Sequence, residues 1–480
     1  MNALNRTWKK LLKQKLTDGS KPSEAAPSDE SKPDFASRFR PLLHVSPPAG
    51  WLNDPNGLCQ YQGMYHAFYQ FSPFDAEGGL KFWGHCISRD LLHWEFVGVP
   101  LTPDTAFDCH GCYSGCAFSE DGKLYLYYTG NVKETGSHDY IHTGRQSNTI
   151  LAESDGMQII KKTPVMTNAD YPPHLTCHVR DPKVWKQDGT YYMIQGARTD
   201  EDQGVALLFA SHDRESWHLL HTLQTARPFG YMWECPDLFE LDGKTILSVS
   251  PQGVSADGLR FQNRYQSVVF FLEGDFRNAR VGENCQELDS GFDFYAPQTF
   301  RADDGRRILI AWMGMPDETE YHNPTVAFGW QHTLTLPREL SIQDGKLCQN
   351  PVRELSAWWN REIAFAGDFC GQAGGCFELE LFSRDGDVTV TLAGGLTLCY
   401  REDTKQFDME FQDSLSGSGR KKRSAEIKSL SRIRLVADVS CLEVFLNNGE
   451  TVFSTRFYPQ DDVYEIRTQG CIRGVYRTHS

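Results

Sequence analysis

The chain has 480 residues, of which 40% are hydrophobic and 12% aromatic, and its formal net charge at neutral pH is −15. This length accommodates two globular domains, and the acidic balance argues against nucleic acid as a partner. No stretch is long and apolar enough to predict a membrane-spanning helix.

The N-terminal residues 1–37 are predicted to be a disordered or weakly helical tail. Residues 8–16 combine lysines with leucines and could form a short basic amphipathic helix, whereas residues 17–32 are rich in Ser, Pro, Asp, Glu and Lys, a composition typical of disorder. The helix could contact a membrane surface or a partner, but its brevity favours a solvated tail. The tail also lacks the uninterrupted apolar core of a secretory signal.

Residues 51–57, with the sequence WLNDPNG, place an aromatic ring, an amide and a carboxylate at the start of an apparent strand. An aromatic face can stack on a sugar ring, an amide can bind sugar hydroxyls, and the carboxylate of Asp54 can attack an anomeric carbon. The same residues also suit an ordinary turn, because Pro55 presets φ and Asn56-Gly57 tolerates positive φ. The segment alone therefore leaves a sugar site and a simple turn as alternatives.

A short repeat recurs five times, and each copy places a Gly-containing turn before a run rich in aromatic or branched aliphatic residues. The copies occupy residues 62–69, 121–128, 188–194, 242–248 and 304–310. Each is a β-hairpin signal, and a spacing of roughly 55 to 65 residues suits one four-stranded sheet per copy. The chain is therefore predicted to be all-β, with a five-bladed β-propeller over residues 38–345. A β-sandwich is the competing all-β arrangement, and the even spacing disfavours it.

Three acidic residues precede the repeat turns at nearly the same distance. Asp54 and Glu234 lie eight residues before their turns, and Asp181 lies seven before its own. In a propeller the innermost strand of each blade lines a central channel, so the spacing predicts that the three carboxyls converge on one pocket. Because alternate strand residues face opposite ways, the difference of one residue requires a bulge or a longer turn to align all three.

The sequence neighbours of two of these acids predict different protonation states. Glu234 lies between Trp233 and Cys235, and this apolar setting is expected to raise its carboxyl pKa and keep it protonated. Asp54 lies beside Asn53 and turn amides, so it is expected to be ionised. Carboxyls with pKa values pushed apart act as nucleophile and general acid in glycoside hydrolysis. A structural salt bridge or a turn is the alternative role for each acid taken alone.

Residues 352–480 are predicted to form a separate β-sandwich. Residues 387–392 and 433–438 alternate apolar and polar side chains, and Gly and Asp turns bound such segments. A structural role is expected, with packing against the propeller or another subunit, and a homo-oligomer stays open. Sugar binding is the disfavoured alternative, since no acid or aromatic cluster supports it.

Short motifs spread over most of the chain are similar to those of one enzyme family. They are WLNDPNG (51–57), FYQ (68–70), FWGH (82–85), YSG (113–115), RDP (180–182), WECPD (233–237) and GW (329–330). Through them the chain resembles glycoside hydrolase family 32, the invertase and fructosidase family, from His44 onward. Residues 79–85, 111–115 and 126–132 make it most similar to the intracellular bacterial-type sucrose-6-phosphate hydrolases of that family.

The resemblance implies a retaining β-fructofuranosidase that converts sucrose 6-phosphate to glucose 6-phosphate and fructose without a metal or organic cofactor. Asp54 would be the nucleophile, Glu234 the general acid and base, and Asp181 the group that stabilises the transition state. Retention needs the Asp54 and Glu234 carboxyls about 5–5.5 Å apart. Sucrose or short fructo-oligosaccharides are the alternative substrates, and a sugar-binding propeller without turnover is the alternative from another class.

The resemblance also implies substrate-binding residues around the three acids. They are Trp51, Leu52, Asn53, Gln70, Trp83, Tyr113, Ser114 and Arg180. Lys81 and His85, on either side of Trp83, are candidates for binding the substrate phosphate, and a solvated rim lysine is the equal alternative for Lys81. A small sugar is the partner that this site would take.

The fourteen cysteines lack the dense spacing of a stapled domain, so free thiols and a cytoplasmic location are predicted. Cys109, Cys112 and Cys116, with His110 among them, suggest zinc as an alternative. That alternative is disfavoured, because the residues after Cys112 belong to the sugar pocket that the resemblance implies. Cys235 is expected to shield Glu234, so its oxidation would impair activity.

Overall fold

The computed structural model describes residues 38–384 and 386–479, which form two domains built almost entirely from β-strands. The predicted tail, residues 1–37, lies outside the described residues. Within the described chain three short helices occur: the 3-10 helices Asn168–Asp170 and Pro324–Phe328, and the α-helix Leu355–Trp358. None of these described helices has the length and apolar character needed to cross a bilayer.

The first four blades of the propeller are antiparallel sheets whose four strands pair in chain order. The first contains β1 (Gly50–Tyr61), β2 (Met64–Ser72), β3 (Phe82–Ser88) and β4 (Glu95–Leu101). The second contains β5 (Cys112–Glu120), β6 (Lys123–Lys133), β7 (Arg145–Ser154) and β8 (Ile159–Met166). The third contains β9 (Leu175–Gln187), β10 (Thr190–Thr199), β11 (Gly204–Ser211) and β12 (His218–Leu223). The fourth contains β13 (Met232–Leu241), β14 (Lys244–Gln252), β15 (Val268–Leu272) and β16 (Gln286–Glu287).

The fifth blade ends the domain and connects it back to the first. Its segment contains β17 (Tyr295–Arg301), β18 (Arg307–Met313), β19 (Trp330–Gln331), β20 (Thr333–Leu334), β21 (Arg338–Gln343) and β22 (Lys346–Pro351). β19 leaves this blade and pairs in parallel with β1 of the first. β22 pairs with β21 along its whole length. The blade therefore runs to Pro351, beyond the predicted boundary at residue 345.

The innermost strands surround a central channel. β1, β5, β9, β13 and β17 contact one another in that order, and β17 contacts β1. Gln62 and Gly63 both adopt positive φ, as do the residue pairs at the second, third and fourth repeat turns, and this is the conformation of a tight two-residue hairpin. Apolar side chains fill the space between adjacent blades, as where Tyr127 and Val184 share one core cluster. The predicted five-bladed propeller is confirmed.

The predicted C-terminal β-sandwich is also confirmed, as two six-stranded sheets. Its strands are β23 (Arg361–Ala366), β24 (Cys370–Ala373), β25 (Cys376–Phe382), β26 (Val388–Leu392), β27 (Leu396–Arg401), β28 (Gln406–Phe411), β29 (Lys422–Glu426), β30 (Arg432–Asp438), β31 (Cys441–Leu446), β32 (Thr451–Arg456), β33 (Tyr464–Gln469) and β34 (Arg473–Thr478). One sheet has the order β23-β34-β25-β30-β31-β32, and the other β24-β33-β26-β27-β28-β29. Buried side chains from both sheets, including Leu379 and Leu398, form the core between them.

Charged side chains are buried where the two domains meet. Arg420 of the sandwich makes a two-pronged contact with Asp293 of the propeller, in which Nε and Nη2 each lie 2.7 Å from a different carboxylate oxygen. The backbone N–H of Arg456 donates to the same carboxylate. Arg420 and Asp293 are almost fully buried, so each charge depends on the other for its stabilisation.

A second buried group of charges joins the domains around Glu443. Its carboxylate lies 2.6 Å from Nη2 of Arg338 and 2.9 Å from Nε2 of His44. The other ring nitrogen of His44 lies 2.8 Å from Asp438. Burial alone would lower the pKa of His44, but the neighbouring acidic groups raise it to about 10. These contacts fix how the sandwich sits on the propeller.

Candidate active site

Each innermost strand has a bulge near its start, at one end of the channel, which we call the mouth. The pairing register shifts between Leu52 and Pro55, Cys112 and Gly115, Arg180 and Lys183, Glu234 and Asp237, and Tyr295 and Gln298. Asp181 and Cys235 adopt left-handed backbone within two of these bulges, with φ of 65° and 47°, which costs energy for residues other than glycine. Because bulges re-aim side chains, residues with offsets of seven and eight can share one pocket.

Asp54 is half-buried at the mouth and held by three side chains. Asn53 donates to Oδ1 over 3.1 Å, while Gln70 and Ser114 donate to Oδ2 over 3.1 and 2.5 Å. The hydrogen-bonded setting predicted for Asp54 is therefore present. Burial nevertheless raises the pKa of this carboxyl, opposed by the Ser114 hydrogen bond.

Glu234 accepts hydrogen bonds on both carboxylate oxygens. Arg180 donates to Oε1 from Nε and Nη2 over 3.0 and 2.7 Å. Tyr295 and Gln252 donate to Oε2 over 2.6 and 2.9 Å. The prediction that Glu234 has apolar surroundings is wrong. Its neighbour Trp233 points to the other face of the strand and stacks on Phe270 in the core. Because side chains alternate along a strand, Glu234 faces polar groups.

Asp181 is the most buried of the three acids, with 4% of its surface exposed. Its Oδ2 accepts the backbone N–H of Cys235 over 2.9 Å and lies 4.0 Å from Nε of Arg180. Burial raises the pKa of Asp181 to about 7; Arg180 opposes this shift, whereas the nearby carboxyls of Glu234 and Asp54 add to it.

The Cys235 thiol lies between two acids rather than over Glu234. Its Sγ is 3.7 Å from Oδ2 of Asp54 and 3.6 Å from Oδ2 of Asp181. The expectation that this thiol shields Glu234 is therefore wrong. Since Sγ contacts Asp54 and Asp181 while Arg180 links Asp181 to Glu234, the three carboxyls from three blades occupy one pocket. Carboxyls with different hydrogen-bond partners can divide the roles of nucleophile and acid.

Most of the side chains assigned to the substrate lie beside these acids. Trp51 is half-buried and donates its indole N–H to Asn53 over 3.0 Å. Asn53, Gln70, Ser114 and Arg180 are the direct hydrogen-bond partners of Asp54 or Glu234 described above. These residues therefore surround the space in which a sugar would bind.

Three of the assigned residues have different settings. Leu52 is 0% exposed and belongs to the apolar core, so its side chain does not reach the pocket. Trp83 is also 0% exposed and donates its indole N–H to the backbone carbonyl of Tyr113 over 3.0 Å. Tyr113 itself is half-buried. In this structure Trp83 therefore supports the strand that carries Tyr113 and Ser114.

The two phosphate candidates also differ in position. The Lys81 ammonium lies 5.0 Å above the Trp51 ring. Burial lowers the pKa of Lys81 to about 8, although nearby Asp54 opposes the shift. His85 is 1% exposed, stacks on Phe68 at 3.9 Å and shares a hydrogen bond with His66. His85 is thus buried between strands, and only Lys81 of the two lies near the acids.

The structure does not gather the cysteines and histidine considered for zinc. Cys109 is exposed, whereas Cys112 and Cys116 are buried, and the Cys116 sulfur accepts the backbone N–H of Val184 in the next blade. Within the described part of the chain, no group of three His, Cys, Asp or Glu side chains is placed to hold a metal ion.

Tyr295 and Gln252, which donate hydrogen bonds to Glu234, were not predicted from the sequence. Tyr295 opens β17, nine residues before the fifth repeat turn. This offset of nine lies outside the offsets of seven and eight that mark the three acids, so the spacing alone does not predict Tyr295. Gln252 is the last residue of β14 and carries no local signal.

The opposite end of the channel contains a cavity of about 820 Å³. Its lining includes Lys183, Asp237, Arg301 and Arg307, and Lys183 lies 3.3 Å from Asp237. This cavity lies at the far ends of the innermost strands, away from the three converging carboxyls.

Both domains match sequence models of one protein family. Residues 44–351 match the model described as "Glycosyl hydrolases family 32 N-terminal domain". Residues 364–470 match the model described as "Glycosyl hydrolases family 32 C terminal". The two matches cover the propeller and most of the sandwich.

Individual proteins are similar over nearly the whole chain. A sucrose-6-phosphate hydrolase of Bacillus subtilis is 40% identical over 444 residues, which cover 89% of this chain and 90% of that protein. A solved GH32 beta-fructofuranosidase of Bombyx mori aligns with a TM-score of 0.86 and 32% identity, covering 99% of both chains. A solved sucrose-6-phosphate hydrolase of Lactobacillus gasseri gives a TM-score of 0.86 at 28% identity, covering 97% of this chain and 96% of that one.

Proposed function

The chain belongs to glycosyl hydrolase family 32, and we propose that it hydrolyses sucrose 6-phosphate to glucose 6-phosphate and fructose with retention of configuration. The observation that carries this proposal is the convergence of Asp54, Asp181 and Glu234 from three blades on one pocket, each with its own hydrogen-bond partners. Relatives named sucrose-6-phosphate hydrolases, at 40% identity in Bacillus subtilis and 28% in Lactobacillus gasseri, support the choice of substrate.

In the first step, an oxygen of Asp54 forms a bond to the anomeric carbon of the fructosyl unit. The bond from that carbon to the glucosyl oxygen breaks, and Glu234 gives its proton to the departing oxygen. Hydrogen bonds from Asn53, Gln70 and Ser114 hold the attacking carboxylate in place. The products of this step are glucose 6-phosphate and a fructosyl ester of Asp54.

In the second step, water replaces the ester bond. The Glu234 carboxylate takes a proton from the water, whose oxygen bonds to the anomeric carbon while Asp54 leaves. Arg180 and Tyr295 contact Glu234 and stabilise the carboxylate that exists between the two steps. Two displacements at one carbon give retention, and a separation of about 5–5.5 Å between the two carboxyls stays a prediction.

Asp181 binds the fructosyl hydroxyls and stabilises the positive charge that develops on the sugar ring. Two observations support this role: Asp181 is the most buried of the three acids, and the backbone N–H of Cys235 donates to its carboxylate. A carboxylate in this place favours an oxocarbenium-like transition state by its charge.

A second candidate substrate is unphosphorylated sucrose. The Bombyx mori relative, 32% identical over 99% of the chain, is named a beta-fructofuranosidase without mention of phosphate. The ratio of kcat/KM on sucrose 6-phosphate to kcat/KM on sucrose decides between the two. We expect a ratio well above one, and a ratio at or below one would assign the enzyme to sucrose.

The same assay separates catalysis from sugar binding without turnover. Wild-type enzyme should release fructose from its substrate, and the Asp54→Asn variant should bind the same substrate but release fructose at a greatly reduced rate. If the wild-type protein binds sucrose 6-phosphate without releasing fructose, the domain is a binding module.

We place the enzyme in the cytoplasm, where thiols stay reduced. All fourteen cysteines are described as free thiols, without a disulfide among them, and this fits a reducing compartment. The net charge of −15 argues against nucleic acid as a partner, and assembly into a homo-oligomer stays a prediction.

A further inference from the structure

Three arginines and a histidine crowd one side of the mouth. We call Arg145, His178, Arg180 and Arg198 the rim cluster. Arg180 connects this cluster to Glu234: its Nε and Nη2 donate to the Glu234 carboxylate, and its Nη1 lies 2.5 Å from Nδ1 of His178. The His178 ring is therefore one guanidinium away from Glu234, the group that meets the leaving oxygen.

His178 presents an N–H without a well-placed acceptor. An arginine nitrogen can only donate, so Nδ1 of His178 accepts and the ring proton lies on Nε2. Nε2 is buried and, among the described residues, has no partner in good hydrogen-bond geometry, although a backbone contact with Tyr140 acts to raise the pKa of the ring. Burial and then the charges of Arg180, Arg145 and Arg198 lower the pKa of His178 to about 2, so the imidazole is neutral. A buried donor without an acceptor is costly and indicates a place for a ligand oxygen.

Arg145 supplies a cation that no acid neutralises in the structure. It opens β7, and its guanidinium donates to the backbone carbonyl of Tyr140 over 3.1 Å and to the side chain of Asn131 over 3.4 Å. Within the described part of the chain it forms no ion pair. Burial lowers the pKa of Arg145; the neighbouring Tyr113 side chain opposes this shift, and the charge of Arg180 adds to it.

Arg198 completes the cluster from the neighbouring strand β10. Its guanidinium lies 4.7 Å from the Tyr231 ring, at the start of the fourth blade, and pairs with Asp202 over 2.6 Å. Asp202 is largely exposed, whereas Arg198 is not, so solvent screens this pair. The rim cluster therefore concentrates positive charge in a protein whose net charge is −15.

We propose that Arg145, His178 and Arg198 bind the phosphoryl group of the substrate's glucosyl unit, an inference that rests on the proposed function. Guanidinium groups bind phosphate oxygens through paired N–H donors. The Nε2–H of His178 would donate a further hydrogen bond to the phosphate. The fructosyl unit occupies the floor between Asp54 and Asp181, so the glucosyl unit lies beyond Glu234, on the side of the rim cluster. The phosphate is one hexose ring away from the bond that breaks.

Lys81 is the alternative candidate for binding the phosphate, but its position favours a different role. Its ammonium lies over Trp51, and its charge acts on the nucleophile Asp54. It therefore faces the fructosyl unit, which carries no phosphate in sucrose 6-phosphate. Lys81 should affect phosphorylated and unphosphorylated substrates alike.

The test compares kcat/KM on sucrose 6-phosphate and on sucrose for wild type, Arg145→Met, Arg198→Met, His178→Phe and Lys81→Met. Arg301→Met is the matched control, because it removes the same charge from the exposed end of β17, at the opposite end of the channel. The two rim arginine variants should each lower the preference for the phosphorylated substrate by about tenfold to a hundredfold. The Arg301 and Lys81 variants should keep the preference.

A binding measurement on the intact enzyme supplies a second readout. Titration calorimetry with glucose 6-phosphate and with glucose should give a preference for the phosphorylated sugar that the Arg145 and His178 variants lose, while circular dichroism reports that each variant is folded.

The outcomes separate the inference from the proposed function. If wild type prefers sucrose 6-phosphate and the rim variants keep that preference, or if Lys81→Met alone abolishes it, the rim assignment is overturned while the function stands. If wild type shows no preference for the phosphorylated substrate, the proposed substrate is wrong and the inference fails with it.

Discussion

The pocket at the mouth and the interface between the domains both bury carboxylates, but they compensate the charges differently. At the interface, Arg420 donates two hydrogen bonds of 2.7 Å to Asp293, and Glu443 lies between Arg338 and His44. In the pocket, Arg180 contacts both Glu234 and Asp181, whereas the side chains of the described residues that donate to Asp54 are neutral. The interface carboxylates of Asp293 and Glu443 thus contact arginines, whereas the nucleophile Asp54 is held by neutral donors and Glu234 combines an arginine with the neutral donors Tyr295 and Gln252.

The pKa directions agree with this difference in most places. At the interface, burial acts to raise the pKa of Glu443, but Arg338 and His44 outweigh burial and lower this pKa. Burial raises the pKa of Asp54 and Asp181 in the pocket. Asp289 is an exception, since burial raises its pKa to about 6 despite Arg338. Burial and the particular partners of each carboxyl together therefore set its pKa.

The largest effect is expected from Asp54→Asn. Turnover should fall on the order of a thousandfold or more, because the amide cannot attack the anomeric carbon. The unfolding temperature should stay the same or rise, since a half-buried carboxylate held by neutral donors is removed. Steady-state kinetics and calorimetry test both parts, and a variant with near-normal turnover would remove Asp54 from the mechanism.

The matched change at the interface, Asp293→Asn, should have the opposite outcome. It leaves the Arg420 charge buried without its partner, so the free energy of unfolding should fall by about 3–5 kcal/mol. Turnover per folded molecule should be retained. Urea unfolding monitored by fluorescence measures the loss, and a variant as stable as wild type would contradict the structural role of the pair.

The interface should also weaken in alkaline solution. The pKa of His44 is raised from its ordinary 6.5 to about 10 in the folded state, so its contribution is complete below pH 6.5 and is lost as the pH rises towards 10. A decrease in unfolding free energy of about 2 kcal/mol between pH 7 and pH 9 is expected from this group. In His44→Gln the decline should be shallower, and an unchanged slope would exclude His44 as its source.

The smallest effect is expected from Cys235→Ala. The thiol is a weak donor to Asp54 and Asp181, and the backbone N–H that binds Asp181 survives the change. A decrease in kcat of about twofold to fivefold is expected. Cys235 is 2% exposed and burial raises the pKa of its thiol, so peroxide should react with it slowly. Wild type and variant should therefore lose activity in peroxide at similar rates, and faster loss by the wild type would show that peroxide reaches Cys235.

The blades could be predicted from the sequence because their turns are local. At the first four repeat turns both residues adopt the positive φ that their Asp-Gly and Gln-Gly pairs favour. The three pocket acids lie seven or eight residues before three of these turns. Local signals of this kind need no knowledge of the other blades.

The electrostatics of the pocket could not be predicted in the same way. Glu234 has apolar neighbours in sequence, but its partners Arg180 and Tyr295 come from the third and fifth blades. Likewise, His85 follows Trp83 by two residues yet is buried against His66. Which groups face a side chain depends on strands that are distant in sequence.

The most direct test of the account is trapping of the fructosyl ester on Asp54. Glu234→Gln lacks the acid and base, but a fructosyl fluoride has a leaving group that needs no proton, so the first step proceeds and the second stalls. Mass spectrometry of peptides from the quenched reaction should find one fructosyl unit on the peptide that carries Asp54. An adduct on another residue, or fructose formed at an equal rate by the Asp54→Asn, Glu234→Gln double variant, would contradict the account.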